Sequence, residues 1–524
     1  MDIQPGRTFR NPILPGFYPD PSICRVEGDY YLVTSTFAYF PGVPIFHSTD
    51  LGHWRQIGNV LDRPSQLPVS GCETSRGIFA PTIRWHEGLF YMVTTNVSGG
   101  GNFYVTAEKP EGPWSDPVWL KDADSIGGAD GIDPTLFFDG GKAYYLGTRE
   151  RREGPRYYGD NEVWLQELDL ERGVLIGEKY ALWHGALRNA VWPEGPHIYK
   201  RGGWYYLMIS EGGTCYHHAV TVARSRTLTG PYEGNPANPI LTHRHLGHKY
   251  PIVNVGHGDL VQTQNGDWYM VLLASRPYGG YFRNLGRETF LASVTWEDDW
   301  PLVNCGDGVV RDTVAHTGLP ASPADPPDFR EEFDGDTLGF AWMALRNPQE
   351  GDCTLTERRG WLRLRAAEGR LDCLDAPVSF RCVRQRHMSF DAETKMEFTP
   401  KADGDCAGLA VFQNHKYHYL LVYAREDGAN ALKLLKRENG VTEVLASRGI
   451  DAPLLYLRIS ARGQDYGFHY APEPGAYTAL FEGADGRILS TDAAGGFVGT
   501  TVGLYAHGNG VGAADFDWFE YRGV

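Results

Sequence analysis

Along the first three hundred residues, apolar and aromatic positions recur in a short repeated pattern with no helical spacing. A glycine followed by an aromatic-rich run occurs five times: Gly28-Asp29-Tyr30-Tyr31-Leu32-Val33, Gly88-Leu89-Phe90-Tyr91-Met92-Val93, Gly141-Lys142-Ala143-Tyr144-Tyr145-Leu146, Gly203-Trp204-Tyr205-Tyr206-Leu207-Met208 and Gly266-Asp267-Trp268-Tyr269-Met270-Val271. Each copy reads as a turn followed by a strand, too short for a helix. A second element precedes each glycine at a nearly fixed offset: Asp20-Pro21-Ser22, Ala80-Pro81-Thr82, Asp133-Pro134-Thr135, Glu194-Gly195-Pro196 and His257-Gly258-Asp259. A strand and a turn closing on an aromatic follow, as in Ser48-Thr49-Asp50-Leu51-Gly52-His53-Trp54. Five such units predict an all-β, five-bladed β-propeller over residues 1–316. The eight helical patterns that an α/β barrel requires are missing.

After Asp312 the repeat stops. The Pro-rich run Gly318-Leu319-Pro320-Ala321-Ser322-Pro323-Ala324-Asp325-Pro326-Pro327 marks residues 317–328 as a stiff linker. Beyond it, short alternating runs such as Gly408-Leu409-Ala410-Val411-Phe412 and Tyr417-His418-Tyr419-Leu420-Leu421 predict a β-sandwich of jelly-roll, concanavalin-like type over 329–524.

Charge and composition narrow the partners. The chain has 524 residues and a formal net charge of −16. That balance argues against nucleic acid, whose phosphates need clustered Lys and Arg, and against an anionic membrane surface. The 14 Trp, 29 Tyr and 24 Phe fit strands and aromatic-lined surfaces. Met1–Arg7 contains no apolar run of a leader, and no stretch approaches the ~20 apolar residues of a membrane helix. The eight cysteines form no C-x-x-C pair, so they read as reduced thiols. These features predict a cytoplasmic protein.

Innermost propeller strands surround one axis, so Asp20, Ala80, Asp133, Glu194 and His257 are expected to meet in a ring. Asp-Pro is also a common turn starter, but three carboxylates at corresponding positions fit acid/base work better than turn capping. Glycoside hydrolysis uses two carboxyl groups, about 6.5–9.5 Å apart for inversion and about 5–5.5 Å for retention. A third carboxylate raises the acid's pKa. Arg287 either balances this cluster or sits in a surface ion pair. His243, His245 and His248 read as a solvated loop.

The ordered set Asn11-Pro12-Ile13-Leu14-Pro15-Gly16-Phe17-Tyr18-Pro19-Asp20-Pro21-Ser22, Thr34-Ser35-Thr36-Phe37-Ala38-Tyr39-Phe40-Pro41-Gly42, Gly77-Ile78-Phe79-Ala80-Pro81-Thr82, Gly131-Ile132-Asp133-Pro134-Thr135 and Pro193-Glu194-Gly195-Pro196-His197 closely resembles glycoside hydrolase family 43. The likeness covers essentially the whole chain, including a sandwich like that of the two-domain β-xylosidases. It implies an inverting, exo-acting pentosidase, with Asp20 as general base, Asp133 as pKa modulator and Glu194 as general acid. The substrates implied are xylo-oligosaccharides or arabinosyl-oligosaccharides, and the assembly a homo-oligomer, dimer or tetramer. Phe37 and Phe79 are expected as walls for the sugar, with Arg287 and His257 as further binding residues. The chemistry requires no cofactor. The resemblance also implies His257 as a candidate ligand, through waters, for Ca²⁺ on the axis, against a hydrogen-bonded structural histidine. Ala38-Tyr39 replace a Glu-Trp pair and Phe79 a Trp of well-known β-xylosidases; all three are expected to line the pocket. A dedicated α-L-arabinofuranosidase is therefore the alternative, and a non-catalytic carbohydrate-binding protein the remote one. The Asn-Asp-Pro-Asn-Gly motif of retaining fructosidases is absent.

Overall fold

The computed structural model describes residues 8–122, 128–315, 318–509 and 512–524. The leader reading at Met1–Arg7 and the domain boundary at 316/317 lie outside the described residues. Among these residues the one α-helix is the four-residue turn Thr491–Ala494, and no helix is long and apolar enough to cross a membrane.

The five sequence repeats are five antiparallel sheets. Blade one is Ser22–Val26, Asp29–Val33, Gly42–Ser48 and Arg55–Leu61; blade two is Thr82–His86, Leu89–Asn96, Gly101–Ala107 and Val118–Trp119. Blade three is Ile132–Asp139, Lys142–Glu150, Asn161–Asp169 and Val174–Trp183, with Lys121–Asp122 added in parallel at its outer edge. Blade four is Glu194–Arg201, Trp204–Glu211, Ala219–Ser225 and Glu233–Gly234, and blade five is Val253–Gln262, Trp268–Ser275, Glu288–Glu297 and Trp300–Val303. The repeated glycine explains the first hairpin in three blades. Glu87-Gly88, Gly140-Gly141 and Gly202-Gly203 are two-residue loops with positive φ at both positions, a turn whose twist matches the flanking strands.

The ring closes at blade five, where Asn11 exchanges hydrogen bonds with the backbone of Leu291 and Thr8–Arg10 pairs with Thr313–Ala315. The axis is tied by Asp259, which is fully buried. Its carboxylate accepts from Ser22 Oγ at 2.7 Å, Ile23 N at 3.1 Å, Arg84 Nη1 at 2.9 Å and the Tyr199 hydroxyl at 2.6 Å, joining blades one, two, four and five. Arg84 also donates to His197 Nδ1 at 2.8 Å. Burial raises the Asp259 pKa, but Arg84 and His197 outweigh it and hold the group ionised.

The second domain is two eight-stranded sheets packed face to face. One contains Phe329–Glu331, Cys353–Thr354, Leu362–Arg365, Ala513–Gly523, Ser389–Glu397, Leu454–Arg462, Asp465–Ala471 and Thr478–Asp485. The other runs Val441–Gly449, Ala429–Glu438, Tyr417–Glu426, Cys406–Asn414, Thr501–His507, Ser379–Arg384 and Met343–Leu345, and ends on a propeller strand, Tyr39–Phe40. Leu345 pairs with Tyr39 and Ala344 with Phe40, so backbone hydrogen bonds cross from one domain to the other. Below this edge Phe17, Phe37 and Tyr39 share a core with Met343, Leu345, Phe380 and Tyr505. Buried Arg384 donates to Phe17 O at 2.8 Å and stacks over Phe17 and Tyr18. The two domains are locked by a shared sheet and a shared core.

Candidate active site

Backbone strain aims the ring residues. Asp20, Asp133 and His257 have φ of 55°, 53° and 48°, a left-handed conformation that costs a non-glycine residue about 1–3 kcal/mol. Blades three and five break their ladders at these points, between Ile132 and Thr135 and between Gly256 and Asp259. Such bulges redirect a side chain at the mouth of a sheet. In blade four the left-handed residue is Gly195 (φ 58°), so Gly195, and not Glu194, is the backbone counterpart of Asp20 and Asp133. Glu194 stands one residue earlier, in a ladder broken between Glu194 and His197. The expected equivalence of the three carboxylates is corrected accordingly. A Cβ at Gly195 would also crowd the His257 ring, at 3.0 Å.

All three carboxylates nevertheless line one cavity of about 500 Å³, together with Ala80, His257, Arg287, Phe37 and Phe79. Asp20 is 5% exposed. Its Oδ1 accepts from Arg287 Nη1 at 2.7 Å and its Oδ2 from Ser35 Oγ at 2.5 Å. The cluster is therefore not a set of unpaired charges, and Arg287 is a buried partner, 8% exposed, instead of a surface one. Burial pushes the Asp20 pKa up, but Arg287, then His257, then the Ser35 hydroxyl bring it below the ordinary carboxylate value. Asp133 Oδ2 accepts from the Gly195 N–H at 3.1 Å, the peptide that follows Glu194. Burial and the Asp20 charge raise its pKa. Glu194 is pushed furthest. Burial, then the charges of Asp133 and Asp20, place its pKa well above the usual value, opposed only by Arg287. The cup thus pushes the proton affinities of Asp20 and Glu194 in opposite directions, the separation that acid/base catalysis requires.

The walls are aromatic. Phe37, Phe79 and Phe497 form a mutual cluster with ring centroids 5.8–6.2 Å apart, and the Arg287 guanidinium lies 5.7 Å from the Phe37 ring and 5.6 Å from that of Phe497. Phe497 comes from the sandwich. Its segment is pinned by Phe497 N to Ser75 Oγ at 2.8 Å and by the Arg283–Asp492 ion pair at 2.7 Å. Of the positions expected to discriminate between pentoses, Phe79 lines the cavity, whereas Ala38 and Tyr39 do not. The left-handed turn at Phe37 (φ 53°) sends the chain out into the inter-domain strand, where both are fully buried.

Trp192, Thr214, Cys215, His218, Arg283 and Phe497 also line the cavity and were not singled out from the sequence. Thr214, Cys215 and His218 lie in the loop before the third strand of blade four, where only the composition Thr-Cys-Tyr-His-His offered a signal. His218 is buried with Nδ1 3.1 Å from Asn254 O, and burial lowers its pKa to about 3, so it is neutral. The solvated-loop reading of His243, His245 and His248 holds for the last two. His243 is buried: Nδ1 donates to Ile252 O at 2.7 Å and Nε2 accepts from Val310 N at 2.8 Å, fastening the loop to the propeller.

His257 lines the cavity, 6% exposed, with its backbone N–H bonded to Ser210 Oγ at 2.5 Å. Among the described residues no three His, Cys, Asp or Glu side chains converge in metal-holding geometry. One imidazole is a poor anchor for a hard, oxygen-seeking cation such as Ca²⁺. A cation on the axis would have His257 as its protein ligand and waters for the rest of its shell.

Comparison with known proteins agrees with this geometry. The family model for glycosyl hydrolases family 43 matches residues 9–301, and that for the β-xylosidase C-terminal concanavalin A-like domain matches residues 330–522. The chain is 47% identical over 522 residues to a xylosidase/arabinosidase of Butyrivibrio fibrisolvens, covering 98% of each. It is 40% identical to a non-reducing-end α-L-arabinofuranosidase of Bacteroides ovatus, covering 98% of this chain and 95% of that protein. Among solved structures, the xylan β-1,4-xylosidase of Bacillus halodurans superposes with a TM-score of 0.90 at 35% identity, covering 98% of this chain and 100% of that one. The five-bladed propeller, with Asp20, Asp133 and Glu194 lining one cup, and the family match together make this a glycoside hydrolase. The chain belongs to glycosyl hydrolase family 43.

Proposed function

We propose that this enzyme is an inverting, exo-acting hydrolase that releases terminal β-1,4-D-xylosyl units, and α-L-arabinofuranosyl units as well, from oligosaccharides. The observation that carries the reading is the opposed ionisation of Asp20 and Glu194 within one cavity. With a terminal pentose in the cup, Asp20 accepts a proton from water as that water attacks the anomeric carbon. Glu194 gives its proton to the departing glycosidic oxygen. One turnover leaves Asp20 protonated and Glu194 ionised, and exchange with solvent resets both. Asp133 acts through Glu194: its charge holds the acid's proton, and its bond to Gly195 N–H fixes it against the acid's own peptide.

Exo action is supported by the sandwich segment carrying Phe497, which walls the cup beside Phe37 and Phe79. The double specificity is supported by relatives whose names join xylosidase and arabinosidase. The arabinofuranosidase reading rests on Phe79 and on the Bacteroides ovatus relative. Comparing kcat/KM on nitrophenyl β-D-xylopyranoside and α-L-arabinofuranoside tests both readings: turnover of each supports the double activity, loss of the xyloside alone the dedicated arabinofuranosidase, and loss of both removes the proposal.

We further propose that catalysis needs no metal, so that dialysis against EDTA leaves kcat unchanged; a Ca²⁺-restorable loss would revive His257 as a ligand. A reducing, cytoplasmic setting is supported by eight cysteines that are all unpaired. Association into homodimers or homotetramers follows from the family resemblance and is tested by light scattering.

A further inference from the structure

Glu194 must protonate the oxygen that joins the terminal sugar to the rest of the substrate, so the departing group lies outward from this side chain. Trp192, two residues earlier, lines the same cavity and is only partly buried. It is held at unusual cost. Its φ is 49°, a left-handed conformation that is an outlier for a bulky residue. Its N–H donates to Gly159 O at 2.7 Å, and the adjoining Val191 O accepts from Gly212 N at 2.7 Å. The indole lies between two glycines of positive φ. A Cβ on Gly159 would stand 3.1 Å from Trp192 Nε1, and one on Gly213 only 2.4 Å from Cε3. A Cβ on Gly159 would meet Val191 Cγ1 first, at 2.6 Å, so it is Gly213 of blade four whose missing side chain seats this ring.

The ring is then extended outward. Tyr158 packs edge-on against it at 5.4 Å and 82°, and Tyr158 is 84% exposed. Residue exposure rises in one direction, from Asp20 and Arg287, both under a tenth exposed, through Trp192 to Tyr158. Packing alone does not account for a strained tryptophan carrying an almost bare tyrosine at the rim of a catalytic cup. Flat aromatic faces next to water suit the C–H face of a pyranose ring, which offers apolar area on the face and hydroxyls at the edge.

We propose that Trp192, extended by Tyr158, is the leaving-group platform of this enzyme, binding the sugar ring on the departing side of the scissile bond. The assignment rests on the glycosidase reading above and adds a chemical class of leaving group, a xylopyranosyl ring of an oligosaccharide, favoured over a small alcohol.

The test uses the full-length enzyme and matched substrate pairs: xylobiose against methyl β-D-xylopyranoside, and arabinofuranosyl-xylobiose against methyl α-L-arabinofuranoside. Both members of a pair need the acid, but only one carries a ring. Trp192→Ala is expected to lower kcat/KM on the ring-bearing substrates about tenfold while the methyl glycosides stay within about twofold. Trp192→Phe should restore most of the loss. Tyr158→Ala, at a site too exposed to disturb folding, should act in the same direction by about threefold. Parallel losses on both members, or unchanged activity on the ring-bearing ones, would overturn the platform while leaving the glycosidase reading intact. Wild-type enzyme that turns over none of the four would overturn that reading and the platform with it.

Discussion

Arg287 donates from Nη1 to Asp20 Oδ1 across 2.7 Å, and both side chains are under a tenth exposed. This pair decides the ionisation of the cup, because Arg287 is the foremost influence holding Asp20 ionised and the one opposing the rise at Glu194. Replacing it by Arg287→Gln leaves Asp20 buried without its main partner. The acid limb of the pH profile of kcat/KM should then move to higher pH, and kcat should fall about 10²-fold or more. An unmoved acid limb would show that Arg287 does not set the base.

Asp133 has the opposite influence on the acid. Asp133→Asn removes the first of the two charges that hold the Glu194 proton. The alkaline limb should therefore shift to lower pH, with kcat reduced because the acid is ionised over more of the neutral range. A pH titration of kcat checks the direction; a shift to higher pH contradicts the modulator role.

The raised proton affinity of Glu194 has a stability consequence. A carboxyl whose folded pKa lies above its unfolded value near 4.5 contributes stability that is full below that value and is lost as pH rises through the folded pKa. Glu194→Gln removes this loss. Its Tm should exceed that of the wild type by about 2 °C at pH 8, with the gap closing toward pH 4. Asp20, with its lowered pKa, acts in reverse, and its stabilisation fades only as pH falls below the carboxylate range. Thermal melts across pH 2–9 check both signs.

Phe497 brings the sandwich into the site. Phe497→Ala should raise KM for natural oligosaccharides about tenfold, by losing one aromatic wall, with a smaller change in kcat. Asp492→Ala, which frees Arg283 and with it the segment's anchor, should act in the same direction. Unchanged KM in both variants would confine the sugar site to the propeller.

Local signals carried most of this architecture. Gly88, Gly141 and Gly203 each occupy a turn position with positive φ, so the repeat that marks the blades is a direct imprint of hairpin geometry. The carboxylates were legible because each stands at or just before the start of an innermost strand. The offset at Glu194 was visible too: it stands nine residues before its glycine while Asp20 and Asp133 stand eight, and Gly195 takes up the difference. What escaped is held by contacts with no local signature. Phe497 reaches Phe37 from 460 residues away, and Tyr39–Phe40 ends a sheet built from the other domain. Asp259 looked like one more residue after the ring histidine, yet Arg84, Ser22 and Tyr199 from three other blades make it the tie of the axis.

Inversion requires Asp20 to activate water on the face opposite the leaving oxygen. Proton NMR of the first turnovers on a β-D-xylopyranoside, before mutarotation, reads this directly. The α-anomer of xylose appearing first is the predicted result; the β-anomer appearing first would contradict the assignment of Asp20 as a general base.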